Sequence, residues 1–171
     1  FPAEVPVSVG DLILSGESQE LELKSTGRWN LHTDSHDPKV EHALVKTVCG
    51  FLNSEGGVLL IGVADGGEIL GLTKDYTTLS KKPDRDGYEL WLRQHLDNSL
   101  SSQTVGVVRI AFEQMGDHEI CLVHVGTANK PVFAKPAVGS SGASEFWVRV
   151  GNATKQLYGE DMVDYQGLHW D

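Results

Sequence analysis

The sequence predicts an α+β fold, a mixed β-sheet with two main helices packed on one of its faces. Three observations predict it. Apolar residues recur at helical spacing in two separate stretches, Val40 to Leu52 and Tyr88 to Leu100. Between them lies the longest apolar run, Val58 to Val63, which has no polar alternation and so suits a central strand covered on both sides. After the second helical stretch the pattern turns to short β-like segments divided by Gly and Asn/Asp turns.

Taken in order, Ser8 to Ser15 reads as a short helix with Ser8 as N-cap and Gly16 closing it. Glu20 to Lys24 alternates, with Leu21 and Leu23 on one face and Glu20, Glu22 and Lys24 on the other, as in a half-buried strand. Ser25 to Asp37 is polar and carries Trp29, so it reads as a loop. Asp37-Pro38 supplies an N-cap followed by a proline at the first helical position. The helix it opens runs to Asn53, and Gly56-Gly57 ends it and turns the chain. Asp65-Gly66 is a tight-turn pair, after which Glu68 to Leu72 pairs back as a hairpin. A second main helix is expected near Asp86, where Glu89 follows at capping-box spacing. Strands are expected over Val105 to Glu113, Glu119 to Val125, Pro131 to Lys135 and Glu145 to Val150, with a terminal helix over Glu160 to Tyr165. Pro136 to Ser144 has a loop composition.

Length and composition bound the rest. The 171 residues, 40% hydrophobic and 22% charged, suit one domain over residues 1–171, either whole or as part of a longer protein, since the chain begins at Phe1. No apolar run approaches the roughly 18 residues of a membrane span, and the N-terminus shows no signal-peptide pattern. Cys49 and Cys121 both fall in apolar periodic segments, which favours buried free thiols, a reducing compartment and a cytoplasmic location. The spacing of His32, His36 and His42 matches no standard zinc pattern. A net charge of -10 counts against a generally basic nucleic-acid binder but leaves room for a local basic groove, and it suits a site that collects divalent cations. Gly56-Gly57 follows a helix and lacks the lysine of a phosphate loop, which excludes that route to nucleotide hydrolysis. No Ser, Cys and His combination points to nucleophilic catalysis.

Chemistry concentrates in the acids. Glu17 and Glu22 lie before and on the first strand, with Lys24 beside them, and Asp65 ends the central strand. If the two strands are neighbours, the three carboxylates converge. Carboxylates held together either bind a divalent cation or raise one another's pKa. Each also has a plain explanation: Glu22 as a solvated partner of Lys24, and Asp65 as the first residue of a turn. Lys24, Arg28, Lys130, Lys135, Arg149 and Lys155 are the candidate nucleic-acid contacts, with Trp29 near Arg28 for stacking a base; the competing reading is dispersed surface charge.

Three motifs carry a resemblance to a known family. Glu17-Ser-x-x-x-Glu22-x-Lys24, the run Phe51-Leu-Asn-Ser-Glu-Gly-Gly-Val-Leu-Leu-Ile-Gly-Val-Ala-Asp65 with Gly67-Glu-Ile-Leu-Gly71 after it, and Glu145-Phe-Trp-Val-Arg-Val-Gly-Asn-Ala-Thr154 resemble, in that order, the Alba-like domain of Schlafen proteins. The resemblance covers about residues 10 to 166. It implies an Alba-like α+β fold and association with DNA or RNA, and a homodimer is compatible with such a sheet. Vertebrate Schlafen relatives include RNA endonucleases that use two glutamates and an aspartate with a divalent cation. By motif position those acids fall on Glu17, Glu22 and Asp65, which the resemblance therefore implies as catalytic residues and as ligands for Mg²⁺ or Mn²⁺. The sequence departs from the pattern at Ala64, where relatives often carry an acid, in the longer segment between Lys24 and Phe51, and in its acidic charge. The leading expectation is a nucleic-acid-binding or nucleic-acid-processing domain, as an enzyme a metal-dependent endoribonuclease. The alternative is a non-catalytic regulatory or protein-interaction module of a larger protein.

Overall fold

Helix caps decide where this chain enters its elements. In the computed structural model, which describes residues 8–101, 104–137 and 139–171, Ser8 accepts a hydrogen bond from the Asp11 amide and opens helix α1, Val9–Ser15. Asp37 does the same for Lys39 and opens α2, Pro38–Leu52. Asp84 caps α4, Arg85–Ser99, by accepting from Gly87. That helix starts one residue before Asp86, because Asp84 takes the extended cap conformation and Asp86 lies inside the first turn.

The main sheet has the order β1-β4-β6-β5, formed by Leu21–Lys24, Gly57–Ile61, His118–Val125 and Val108–Met115. β1 pairs with β4 in parallel, Glu22 opposite Leu59; the other pairings are antiparallel. The sheet is therefore mixed. α2 and α4 cover the face that carries Leu59, Ile61, Cys121 and Val123, through residues such as Val48, Phe51, Tyr88 and Leu92. On the opposite face α1 lies over Leu21, Leu23, Leu60 and Ile120. Both cysteines are buried and free, and burial pushes the Cys49 thiol up to about 12.

A second hairpin, β7 (Phe146–Val150) with β8 (Ala153–Leu157), packs on α2, and α5 (Gly159–His169) follows it. The turn at Gly56 requires glycine: its φ is +75° and a Cβ would stand 2.6 Å from the Val125 carbonyl oxygen. After β4, the Gly67 amide donates to Ala64 across Asp65-Gly66, and Val63 bridges Ile69, so the expected hairpin forms as a short turn.

Several segments differ from the sequence expectation. The polar stretch after β1 holds a two-residue pair, β2 (Trp29–Asn30) with β3 (Ser35–His36), and α3 (Thr73–Thr77) precedes α4. β8 carries no apolar alternation strong enough to announce it. The expected strand at Pro131 to Lys135 is reduced to bridges at Ala134. Pro131 has no N–H to give, and the main-chain groups of Val132 pair with the Asn53 side chain instead of a strand. Of the loop expected at Pro136 to Ser144, residue 138 lies outside the described residues, as do residues 1–7 on which the reading of the N-terminus rests.

Candidate acidic site at the edge of the sheet

β1 is an edge strand, so its outward backbone groups need partners other than a strand. The segment before it supplies them. Ser18 and Leu21 bridge each other, and the Leu23 amide donates to Glu17 Oε1 at 3.3 Å. Glu17 is thereby drawn against the strand that carries Glu22.

Glu22 faces the helix side of the sheet in register with Leu59. Both of its oxygens are taken. Oε2 accepts from Arg149 Nη1 at 3.3 Å, and Oε1 lies 3.2 Å from Lys24 Nζ. Arg149 has no exposed side-chain surface. Its guanidinium also donates to the Ser18, Gln19 and Leu21 carbonyls and to Thr154 Oγ1, and it lies 4.8 Å from the centre of the Phe51 ring. It is a clamp that ties the β7–β8 hairpin to the segment holding the two glutamates.

Asp65 is exposed at the turn after β4. Burial raises the Glu17 carboxyl above its ordinary value, and the negative charges of Glu22 and then Asp65 add to the rise; the Leu23 amide and Lys24 oppose it. Glu17 thus feels the charges of both Glu22 and Asp65. As donors, three carboxylates suit a hard divalent cation. Among the described residues, however, no three acidic, Cys or His side chains stand in metal-holding geometry. The Lys24 ammonium takes the Glu22 oxygen that Arg149 leaves.

The expected basic contacts do not form one groove of free cations. Arg149 is turned inward, a correction to its reading as a nucleic-acid contact: its five donors are spent on carbonyls, Thr154 and Glu22. Arg28 is also nearly buried. It lies 4.6 Å from the Trp91 ring centre, with Nε 3.4 Å from Glu41, so packing rather than exposure fixes it. Trp29 donates through its indole to Asp34 and is half-buried. Lys130, Lys135 and Lys155 are exposed and form no ion pair among the described residues. The histidines separate as well: His36 pairs with Glu41, and His42 with Glu145.

Sequence reading missed Asp75. Its buried carboxylate accepts from the Gly27, Arg28 and Trp29 amides and from the Tyr88 hydroxyl, at 2.7 to 3.0 Å. Burial raises its pKa against the pull of those four donors. Gly27 is required there, since a Cβ would stand 2.2 Å from Tyr88 Oη. An aspartate in a short polar helix gives no local sign of such partners 46 to 48 residues away.

Comparison with known proteins agrees with this architecture. The family model described as "Schlafen, AlbA_2" matches residues 17–158. Among solved structures, the DIP2311 protein of Corynebacterium diphtheriae aligns with a TM-score of 0.59 at 19% identity, over 90% of this chain and 28% of that one. The N-terminal domain of a Nitrosomonas europaea protein, described as RecG-related and as a candidate ATP-dependent DNA helicase, aligns with a TM-score of 0.51 at 23% identity, over 91% of this chain and 96% of that domain. These two similarities concern the fold. This chain spans little more than a quarter of the Corynebacterium protein. No curated protein matches it.

Proposed function

The chain belongs to the Schlafen AlbA_2 family, and from that premise we propose that it is a nucleic-acid-processing domain whose acidic edge, Glu17, Glu22 and Asp65, cleaves RNA phosphodiesters with Mg²⁺ or Mn²⁺. One observation supports the reading: β1, which carries Glu22 and follows Glu17, pairs directly with β4, which runs toward Asp65, and the charges of Glu22 and Asp65 both raise the Glu17 pKa. A domain with nothing to bind there gains no stability from that arrangement. The similarity to an N-terminal domain of a helicase-described protein supports a nucleic-acid setting.

A divalent cation held there would supply an activated water and offset charge on the reacting phosphate. The protein's own residues set the stage. Arg149 fixes Glu22 Oε2 in place. The Leu23 amide fixes Glu17 Oε1 and leaves Oε2 available. Asp65 would join them from the exposed turn that follows β4.

The test is cleavage of a structured RNA pool with Mn²⁺ or Mg²⁺, with EDTA and Glu22→Gln as controls. Glutamine keeps an acceptor for Arg149, so a loss of activity is not a loss of fold. Cleavage abolished in both controls is the expected result; cleavage retained by Glu22→Gln removes this site. The second reading, a non-catalytic interaction module, is favoured by the ion pairs that already satisfy Glu22. It predicts no cleavage and no salt-dependent affinity for RNA or DNA.

A further inference from the structure

The sheet has a second edge, β5, and its main chain is open. β5 ends in the two-residue turn Gly116-Asp117, with φ +62° at Gly116, so Met115 and His118 exchange both their main-chain hydrogen bonds. Counting back from that pair, Arg109, Ala111 and Glu113 turn their amides and carbonyls toward β6, while Ile110, Phe112 and Gln114 turn theirs away from it. The Val108 amide fits the same alternation: it points outward and donates to the Thr104 carbonyl. Among the described residues, nothing pairs with the outward main-chain groups of Ile110, Phe112 and Gln114. There is room beside them. An open hollow of about 910 Å³ borders Val108, Arg109 and Ile110, with Glu89 and Arg93 of α4 at its side.

The side chains of this edge say what fits it. Arg109, Ala111 and Glu113 share the α1 face of the sheet, and Ile110 and Phe112 share the α2–α4 face. Arg109 and Glu113 are exposed and form no ion pair among the described residues. On β6 they stand opposite His124 and Ile120, neither of which supplies the opposite charge. An open edge is a template for another strand, and its charges decide which one. Lay β5 antiparallel on the β5 of a second copy, centred on Ala111. Each Arg109 then faces the other copy's Glu113, and each Ile110 faces the other's Phe112. Ile110 and Phe112 carry the outward groups and form the hydrogen-bonded pairs. Arg109 and Glu113 fall on the non-hydrogen-bonded pairs, where side chains approach closest. Other centres lose the match. Arg109 or Glu113 at the centre sets like charges together, and Ile110 or Phe112 leaves both charges opposite apolar residues.

We propose that β5 is a self-recognition edge through which two copies of this chain form an antiparallel dimer, centred on Ala111 and selected by reciprocal Arg109–Glu113 pairs. The dimer joins the four strands of each copy into one continuous sheet. Its two-fold axis stands perpendicular to that sheet, so the α2–α4 layers of both copies lie on one face. The two β1 edges lie at opposite ends, about seven strand spacings or roughly 34 Å apart. The dimer does not depend on whether those edges cleave RNA.

Sedimentation velocity on the whole chain across a concentration series reads the assembly, and cysteine cross-linking reads its register. A monomer–dimer equilibrium is expected. Glu113→Arg sets arginine against arginine twice and raises the dissociation constant on the order of tenfold; Arg109→Glu does the same with glutamates, and the two changes combined restore the dimer. Circular dichroism checks that each variant is folded. Ala111→Cys cross-links under mild oxidation, because its two copies face each other at about 4.5 Å between Cα atoms. Gln114→Cys, whose copies lie several residues apart, does not. The native Cys49 and Cys121 are buried and do not compete. A chain that stays monomeric at every concentration overturns the proposal, and so does a dimer that both single charge reversals leave unchanged. A dimer in which Gln114→Cys cross-links and Ala111→Cys does not overturns the pairing centred on Ala111.

Discussion

Two enclosed charges hold the chain on either side of β1, and they do so in opposite ways. Arg149 reaches from β7 to the segment before the strand and meets carbonyls, a hydroxyl and the Glu22 carboxylate. Asp75 reaches from α3 to the segment after the strand and meets three amides and a phenol. Arg149 has a counter-ion; Asp75 is compensated only by dipoles, and burial accordingly pushes its carboxyl up. The difference separates two kinds of anchor. The Asp75 anchor closes on itself, so its influence ends with the loop it holds. The Arg149 anchor passes through Glu22 to Lys24 and the surface, so it also sets the charge of the candidate site.

The sharpest way to break this contrast is Arg149→Met. It strips a buried carboxylate and the edge carbonyls of their partner, and a destabilisation of about 3 to 5 kcal/mol is expected in chemical denaturation. A loss below about 1 kcal/mol would mean that Glu22 escapes to solvent with Lys24 and that the clamp is not needed. Next in size is Asp75→Ala, which orphans the Gly27, Arg28 and Trp29 amides. It should cost about 2 to 3 kcal/mol and make residues 25–37 the first site of limited proteolysis. Under the proposed function, Mn²⁺ affinity at the acidic edge stays unchanged in that variant and falls in any Arg149 variant.

Smaller effects sharpen the comparison. Tyr88→Phe removes one of the four donors to Asp75 and should cost about 1 kcal/mol, visible as a shift in denaturation midpoint at unchanged slope. The smallest expected effect is a pH dependence at His42, a third partly enclosed group, whose ring contacts Glu145 and has Lys46 and His95 as titratable neighbours. Burial lowers its pKa below the ordinary 6.5, with Glu145 opposing. The unfolded chain therefore takes up the proton first as pH falls. Stability should decline as pH drops from 6.5 toward the lowered folded value and level off below it. His42→Gln should flatten that part of the profile in denaturation midpoints measured across pH.

The elements readable from the sequence are those fixed by local chemistry. Asp37-Pro38, Ser8 and Gly56 announce their caps and turns because each satisfies or frees backbone groups within a few residues. The apolar run after Gly56-Gly57 is the second strand of the four, covered on both faces, as its composition implied. The segments that sequence misplaced are held from a distance. The Val132 main chain is satisfied by a side chain 79 residues earlier; β8, by contrast, pairs with β7 just across a two-residue turn and went unread because it has little alternation of its own.

The same division runs through the site. The sequence by itself determined that Glu22 and Lys24 share one face of a strand with Glu17 just before it, and that Asp65 follows a central strand, because alternation and turn chemistry act between near neighbours. Only the tertiary structure decided that β1 and β4 are adjacent, that Arg149 is an internal clamp rather than a surface contact, and that Lys24 rests on Glu22. An arginine's letter says that it is charged. Whether that charge faces solvent or a carboxylate 127 residues away depends on which elements pack together, and packing is a property of the whole chain.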